Sequence, residues 1–368
     1  MYPERWSNLY DLLDVQKVAA AAVIPGPNLA YLTGLRFHLM ERPVVALFAR
    51  GRPPHLVLPE LEQDKARTSG LDLALFPYGE DEASRRAAFQ EAAQAFGLAE
   101  RAVAVEPTRM RFLEQALLEA CAPGVRCVDG EDALGRLRVV KSDEEVGWMS
   151  EAVRIAEMAL EAALPQMKIG MTERELAGEL TLHLLRGGSD VDLPFSPIVA
   201  SGPNSALPHA TPSDRALQAG DLLIIDWGAS VHGYFSDLTR TLAVGDVDPE
   251  LARIHAVVAD ANEAGREAAK PGASCGDVDR AARSVIEDAG YGEYFMHRTG
   301  HGLGLEEHEA PYIRADNPDR LANGMTFTVE PGIYLPGRGG VRIEDDIVVR
   351  MEGARSLSGF KRALLTVG

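Results

Sequence analysis

Apolar segments that end in a carboxylate constrain the fold of this chain more than any other feature of its sequence. Residues 222–226 read L-L-I-I-D and residues 326–330 read T-F-T-V-E, so an acidic side chain closes each predicted buried strand. Glu344 interrupts a third apolar run, V-R-I-E-D, and Asp237 lies eleven residues after Asp226. Burying an unpaired carboxylate is costly. Four such groups would repel one another unless cations hold them together, so the pattern predicts a site for cations.

The segment between Asp226 and Asp237 contains the turn-forming stretch G-A-S-V-H-G-Y. A turn there lets the two flanking strands pair as an antiparallel hairpin, which can bring both carboxylates to one face. For either aspartate alone, the alternative is a structural role, with Asp226 capping a turn and Asp237 capping a helix. Arg342 precedes Glu344 by two residues, so it is predicted to share the strand face of that glutamate.

A cluster of histidines lies between these strands, in the stretch T-G-H-G-L-G-L-E-E-H-E-A-P of residues 299–311. It contains His301 and His308, with His297 just upstream, in a chain that has only nine histidines. A single histidine is more often a surface or core residue than a ligand, but the glycines here let the backbone approach another group closely. One imidazole added to four carboxylates suits Mn²⁺, Co²⁺, Fe²⁺ or Zn²⁺. Four negative charges balance two such ions, which is the arrangement of two-metal hydrolases.

Composition limits the remaining function classes. A net charge of −18 argues against nucleic acid as a partner and is compatible with a site that holds cations. No apolar run approaches the roughly 20 residues of a membrane span, and the N-terminus lacks the apolar core of a signal peptide. The three cysteines do not suggest a disulfide framework. We therefore expect no nucleic-acid or membrane partner and a cytoplasmic location.

The order of predicted elements indicates two domains in the 368 residues. Strands alternate with helices over residues 1–135, which predicts an α/β domain with a partly parallel sheet. No G-x-G-x-x-G or phosphate loop occurs there, so a nucleotide site has no support. A capping box formed by Ser142 and Glu145 begins a long helix in the second domain, residues 136–368. There the order helix, helix, strands occurs twice, which suggests two related halves.

Five stretches together resemble the Xaa-Pro peptidase branch, with prolidase and aminopeptidase P, of the metallopeptidases that have the pita-bread fold. These are L-L-I-I-D-W-G, F-S-D-L-T-R, T-G-H-G-L-G-L-E-E-H-E, T-V-E-P-G-I-Y and G-V-R-I-E-D, and they follow the family's order over most of residues 143–350. The resemblance implies a creatinase-like N-terminal α/β domain over residues 1–135. It also implies an α+β pita-bread catalytic domain with pseudo-twofold halves over residues 136–368. The sequence E-P-G-I-Y, where methionine aminopeptidases carry E-P-M, favours the Xaa-Pro branch.

The resemblance also implies which side chains form the site. The metal ligands are Asp226, Asp237, His301, Glu330 and Glu344, with Asp237 and Glu344 shared between two divalent ions. Mn²⁺ is the first expectation for these ions, with Co²⁺, Zn²⁺ and Fe²⁺ as alternatives. The implied catalytic residues are His209, His308, Glu330 and Arg342, and Glu330 carries a proton to the leaving proline nitrogen. His297 and Tyr334 are implied to line the substrate pocket.

The implied reaction is hydrolysis of the Xaa-Pro bond in small proline-containing peptides by a homodimer. We favour a dipeptidase (prolidase). The alternatives are an Xaa-Pro aminopeptidase acting on longer peptides and a non-catalytic relative that only binds peptides. A dipeptidase needs a group that binds the proline carboxylate, and arginine suits that role. The N-terminal domain offers Arg42, which we prefer, and Arg36 in T-G-L-R-F-H-L-M-E-R-P, although either is also explained as an ordinary surface charge.

Overall fold

The computed structural model describes residues 2–368 and divides into two compact units. Unit 1 ends at Arg138, and unit 2 comprises Val139–Gly368. The sequence places the division between its domains at residues 135/136. Every helix among the described residues is too short or too polar to cross a lipid bilayer.

Unit 1 is built on a six-stranded sheet in the order β4-β3-β2-β1-β5-β6. Its strands are β1 (Ala20–Val23), β2 (Val45–Phe48), β3 (His55–Pro59), β4 (Ala74–Tyr78), β5 (Ala102–Val105) and β6 (Arg126–Asp129). Its helices are α1 (Tyr2–Gln16), α2 (Pro27–Thr33), α3 (Gln63–Arg67), α4 (Glu82–Phe96), α5 (Phe112–Cys121) and α6 (Glu131–Arg136). Strand β1 pairs in parallel with β5 and antiparallel with β2, so the sheet is partly parallel, as the sequence predicts.

Unit 2 contains two pairs of long helices and many short strands. Its helices are α7 (Asp143–Ala163), α8 (Glu173–Arg186), α9 (Pro249–Ala268) and α10 (Cys275–Asp288). Its strands are β7 (Ile198–Ser201), β8 (Leu222–Trp227), β9 (Ser230–Val231), β10 (Tyr234–Phe235), β11 (Leu238–Val244), β12 (Gly300–Gly302), β13 (Glu309–Ile313), β14 (Thr326–Val329), β15 (Gly332–Leu335), β16 (Gly339–Arg342), β17 (Asp345–Arg350), β18 (Gly353–Ser356) and β19 (Leu365–Val367). The predicted capping box begins α7, where Ser142 and Glu145 each accept a backbone N–H of the other.

Each helix pair of unit 2 belongs with one larger sheet, which gives two halves of similar order. Helices α7 and α8 pack on the sheet β19-β11-β8-β7, around the fully buried Trp227. Its indole N–H donates to the Ala156 carbonyl at 2.7 Å. Helices α9 and α10 belong with the sheet β13-β12-β14-β17-β18. Helix α9 lies so close to β14 that a Cβ on Gly265 would be 2.8 Å from Val329 Cγ1, so glycine is needed at that position.

Two segments with buried apolar runs, T-F-T-V-E and V-R-I-E-D, lie where the chain passes from one sheet to another. The glutamates Glu330 and Glu344 lie at the breaks, the first between β14 and β15 and the second between β16 and β17. Strand β14 pairs with β17, whereas β15 and β16 form a separate hairpin. Arg342 ends β16, and Glu344 pairs with Thr239 through an isolated bridge. Both side chains nevertheless reach the Thr239 hydroxyl, so they lie on one face of the segment, as the sequence predicts. Pro331 explains the first break, since proline has no N–H to continue a ladder.

Candidate metal centre and its cavity

Three buried side chains of unit 2 form the centre of the candidate site. Asp237 directly precedes β11, His301 is the middle residue of β12, and Glu344 lies between β16 and β17. Their ligand atoms all lie within 4.8 Å of one another, a spacing at which they could hold a metal ion. Chain segments that are far apart in the sequence therefore meet at one point.

Glu330 and Asp226 lie next to this centre. His301 Nε2 is 3.3 Å from Glu330 Oε1 and 3.7 Å from Asp237 Oδ2. Strand β8 pairs antiparallel with β11, with Asp226 opposite Thr239, so the hairpin that the sequence predicts is confirmed. Asp226 Oδ2 accepts a hydrogen bond from Arg342 Nη2 at 2.7 Å. The buried Asp226 Oδ1 has no hydrogen-bond partner within residues 2–368.

Burial and mutual repulsion perturb the carboxylates of this group. Burial, followed by the charges of neighbouring carboxylates, raises the pKa of Asp237 and of Glu344 well above the usual range. Burial also raises the pKa of Glu330 to about 7. In contrast, burial holds the pKa of His301 well below its usual range, so its imidazole is neutral and can act as a ligand.

These residues fit divalent metal ions. Carboxylate oxygens with one imidazole are donors that such ions accept. The unpartnered Asp226 Oδ1 is one more buried oxygen whose hydrogen-bonding capacity is unused among the described residues. Cations would also offset the repulsion that favours protonated carboxyl groups here.

Thr239 links two of the acidic groups through its hydroxyl. Its Oγ1 donates to Glu344 Oε2 at 2.6 Å and accepts from Arg342 Nε at 3.1 Å. Because Arg342 also donates to Asp226, Thr239 orients Glu344 and the arginine that supports Asp226. This role of Thr239 is not among those predicted from the sequence. The available signal was that Thr239 lies two residues after Asp237 in an extended segment and so shares its face.

Asn262 on α9 connects the two segments that carry the glutamates. Its buried Nδ2 donates to the Val329 carbonyl at 2.8 Å and to the Ile343 carbonyl at 3.3 Å. These carbonyls directly precede Glu330 and Glu344, so one amide holds the backbone on both sides of the acidic group. No pattern in the sequence predicts this contact, because α9 and the two strands meet only in the folded unit.

Asn262→Leu is expected to weaken Mn²⁺ binding by about 10- to 100-fold, an effect typical of losing a residue that supports metal ligands. Leucine has a similar volume but cannot donate to either carbonyl. Titration calorimetry on the metal-free protein measures the change. The matched control is Asn204→Leu, since Asn204 Nδ2 donates instead to Glu173 at 3.1 Å, and Glu173 is not a predicted ligand. Wild-type metal affinity in Asn262→Leu would contradict this role.

A cavity of about 640 Å³ opens over the acidic group. Its walls include the predicted catalytic residues His209, His308, Glu330 and Arg342. The ring centroids of His301 and His308 are 3.9 Å apart. Burial, followed by the charge of Arg298, lowers the pKa of His308 to about 4, so its imidazole is neutral near pH 7 and offers one donor and one acceptor. The structure brings these residues together, and their catalytic roles stay predictions.

Of the two residues predicted to line the substrate pocket, His297 lines this cavity and Tyr334 does not. His297 Nδ1 lies 2.7 Å from the Arg298 carbonyl and donates to it, so Nε2 is free to accept from the Tyr334 hydroxyl at 2.9 Å. Arg342 Nη1 donates to the same hydroxyl at 3.0 Å. Burial raises the pKa of Tyr334 to about 12, so the phenol keeps its proton. Tyr334 supports His297 and Arg342 from behind the cavity wall.

Arg42, the predicted carboxylate-binding residue, belongs to unit 1. Its guanidinium pairs with Glu80 at 3.2 Å and with Glu41 at 3.4 Å. These ion pairs are what an ordinary surface arginine makes, and such pairs contribute little to stability. Contact of Arg42 or Arg36 with a substrate stays a prediction.

Comparisons with known proteins match both units. Residues 147–351 match the sequence family described as Metallopeptidase family M24, and residues 5–140 match the Creatinase/Prolidase N-terminal domain. An Xaa-Pro dipeptidase of Pyrococcus horikoshii is 32% identical over 366 residues, which are 98% of this chain and 99% of that protein. The crystal structure of a dipeptidase from Pyrococcus horikoshii OT3 matches with a TM-score of 0.92 and 40% identity, over 99% of this chain and 100% of that chain. An X-Pro aminopeptidase from Thermotoga maritima matches with a TM-score of 0.84 and 29% identity, over 98% of this chain and 99% of that chain.

Proposed function

Since the chain belongs to metallopeptidase family M24 and carries a creatinase/prolidase N-terminal domain, we propose that it hydrolyses Xaa-Pro dipeptides. The chain is a hydrolase with the pita-bread catalytic domain that the sequence predicts. The observation that carries the proposal is the buried group of Asp237, His301 and Glu344 beneath a cavity of about 640 Å³, a size typical of small-molecule sites. A relative that matches nearly the whole chain is named Xaa-Pro dipeptidase, which supports the same substrate class.

We propose that five residues hold two divalent metal ions, with Mn²⁺ as the first candidate. The ligands are Asp226, Asp237, His301, Glu330 and Glu344. Asp237 and Glu344 are the shared pair. When bound, such ions supply a nucleophile from water at neutral pH and polarise a carbonyl group. The neutral His301 and the mutual repulsion of the carboxylates support this assignment.

The remaining cavity residues bind the peptide and move its protons. Neutral His308 presents a donor to the scissile carbonyl from a ring 3.9 Å from that of His301. His209, an exposed residue of the cavity wall, provides a second imidazole to the peptide. Glu330, whose pKa is raised to about 7 by burial, can accept a proton near neutral pH and pass it to the leaving nitrogen. Arg342 keeps Asp226 in place through its hydrogen bond of 2.7 Å.

The second candidate is an Xaa-Pro aminopeptidase acting on longer peptides. The likeness to the X-Pro aminopeptidase of Thermotoga maritima, with a TM-score of 0.84, favours keeping it. The same metal ligands serve either activity, so the centre does not separate the two. The two activities differ in whether the site binds the C-terminal carboxylate of the substrate one residue after the scissile bond.

Rates of cleavage for peptides of different length distinguish the dipeptidase from the aminopeptidase. With Mn²⁺ present, kcat/KM for Leu-Pro is expected to exceed that for Leu-Pro-Pro and Arg-Pro-Pro by about 100-fold, because a charge-assisted contact with the dipeptide carboxylate is lost in longer peptides. Release of the N-terminal leucine or arginine, monitored by chromatography, measures the rate for each of the three peptides. Equal or faster cleavage of the tripeptides would establish the aminopeptidase instead. Cleavage of neither, with metal bound, would favour a protein that only binds peptides.

The homodimer implied by the family resemblance and the cytoplasmic location expected from the composition stay predictions. Light scattering after size-exclusion chromatography measures the mass against the 39.7 kDa of one chain. A mass of one chain at micromolar concentration would contradict the dimer.

A further inference from the structure

Glu173, the first residue of α8, is a fully buried carboxylate that the proposed reaction does not use. It does not line the cavity over the acidic group, and it is not a proposed metal ligand. An ionised carboxylate in the protein interior is costly unless hydrogen bonds satisfy its oxygens. The donors that satisfy this one therefore indicate which part of the fold it serves.

Among residues 2–368, the hydrogen bonds of this carboxylate all come from one segment, residues 201–213, which we call the His209 loop. Oε1 accepts from the Ser201 backbone N–H at 2.7 Å and from the Ser201 hydroxyl at 2.8 Å. Oε2 accepts from the Ser213 backbone N–H at 3.0 Å and from the Ser213 hydroxyl at 2.6 Å. Asn204 Nδ2 donates to both oxygens, at 3.1 and 3.2 Å. One side chain thus joins the two ends of the loop.

The main chain and the charge both strengthen this junction. The Glu173 N–H donates to the Arg215 carbonyl at 3.0 Å, and the Arg174 N–H donates to the Ser213 carbonyl at 3.1 Å. Burial raises the pKa of Glu173, but the hydrogen bonds from Ser213 and Ser201 outweigh burial and hold this pKa below its usual range. The carboxylate is therefore ionised near neutral pH, and hydrogen bonds to a charged acceptor are stronger than those to a neutral one.

The loop carries His209 to the wall of the cavity. The His209 imidazole makes no hydrogen bond to another residue of the described range 2–368, so the backbone of the loop positions the ring. Next to His209, the Pro208 carbonyl accepts from Arg342 Nη1 at 3.2 Å. The loop is thus fixed at its two ends by Glu173 and beside the histidine by one hydrogen bond of Arg342.

We propose that Glu173 is a positioning residue for His209, because by joining the ends of the loop it holds the imidazole against the bound peptide. This role rests on the proposed function, in which His209 contacts the peptide. Glutamine at position 173 would keep the shape of the side chain but would offer one acceptor oxygen instead of two, and its amide N–H groups would face other donors. The ends of the loop would then separate, and the ring would lose its defined position.

The test is a double-mutant cycle on the Mn²⁺-loaded protein with Leu-Pro as the substrate. Glu173→Gln is expected to lower kcat by about 10- to 100-fold, since a displacement of about 1 Å at a reacting group costs up to about 100-fold. In a His209→Ala background the same substitution is expected to change kcat by less than about 2-fold, because the histidine through which it acts is already absent. Mn²⁺ affinity, measured by titration calorimetry, is expected to stay at the wild-type value. An unchanged kcat in Glu173→Gln, or an equal loss in both backgrounds, overturns the proposal.

Glu175→Gln is the matched control on the same helix. The Glu175 carboxylate accepts the Thr172 backbone N–H at 2.8 Å in a capping box, a role that glutamine also fills. Wild-type kcat is therefore expected. Ser213→Ala serves if Glu173→Gln does not fold, since it removes one hydroxyl donor and keeps the charge. Its expected loss is about 5-fold, the effect of one ordinary hydrogen bond, and this loss too should vanish in the His209→Ala background.

Hydrogen exchange followed by mass spectrometry measures the loop without any turnover. In Glu173→Gln the backbone amides of residues 201–213 are expected to exchange at least about 10-fold faster than in the wild type, because fewer hydrogen bonds close the loop. Unchanged exchange overturns the role of Glu173. If the Mn²⁺-loaded wild type does not cleave Leu-Pro, the proposed function fails, whereas faster exchange in the variant would still show that Glu173 fixes the loop. Wild-type kcat in His209→Ala would overturn the catalytic consequence of that fixation.

Discussion

Asp237→Asn is expected to lower kcat for Leu-Pro by roughly 1,000-fold or more, because several kcal/mol of transition-state stabilisation depends on the ions that this residue is proposed to share. The substitution keeps the shape of the side chain but removes its charge. Asp237 lies within 4.8 Å of His301 and Glu344, so the loss affects the centre of the ligand group. Metal content by mass spectrometry is expected to fall in parallel with turnover.

Asp248→Asn is the matched control for that experiment. Asp248 caps α9 by accepting the Glu250 backbone N–H at 2.8 Å, and asparagine caps helices equally well. The control is therefore expected to keep wild-type stability, metal content and turnover. Wild-type turnover with full metal content in Asp237→Asn would show that the assignment of two ions to this group is wrong.

Removal of metal by a chelator is expected to abolish peptide hydrolysis and to lower the melting temperature of the protein by about 5–10 °C. At about 100 times the dissociation constant, a bound ion contributes about 2.7 kcal/mol, and each kcal/mol shifts the melting temperature of a large domain by about 2–4 °C. Repulsion among the buried carboxylates adds to the loss, because burial and neighbouring charges disfavour their ionised forms. Scanning calorimetry with and without chelator measures the shift.

Readdition of Mn²⁺, Co²⁺, Zn²⁺ and Fe²⁺ one at a time identifies the metal that restores activity. Recovery is expected to be greatest with Mn²⁺. Asp237→Asn provides the control, since chelator is expected to change its melting temperature much less than that of the wild type. Unchanged activity and melting temperature after complete metal removal would exclude a metal-dependent centre at this site.

The family, the fold class and the hairpin of Asp226 and Asp237 are predictable from the sequence because each depends on local pattern. An apolar run that reaches Asp226, a turn, and a second apolar run that begins after Asp237 predict an antiparallel pair without information from elsewhere in the chain. The structure has this hairpin, and it adds the register, with Asp226 opposite Thr239 across β8 and β11.

The supporting contacts are not predictable in the same way. Asn262 reaches two carbonyls more than 60 residues away in the sequence, at separations of 67 and 81 residues. The alternating pattern correctly predicts that Arg342 and Glu344 share a face, but it cannot show that the segment divides between β16 and β17, which belong to different sheets.

The hairpin of β15 and β16 has a consequence for protein engineering. It spans Gly332–Arg342, and its two ends connect directly to the segments of Glu330 and Glu344. It also carries Tyr334 and Arg342, which contact a wall histidine and Asp226. An insertion there would disturb three ligand positions at once, so directed evolution of substrate preference should leave this hairpin unchanged.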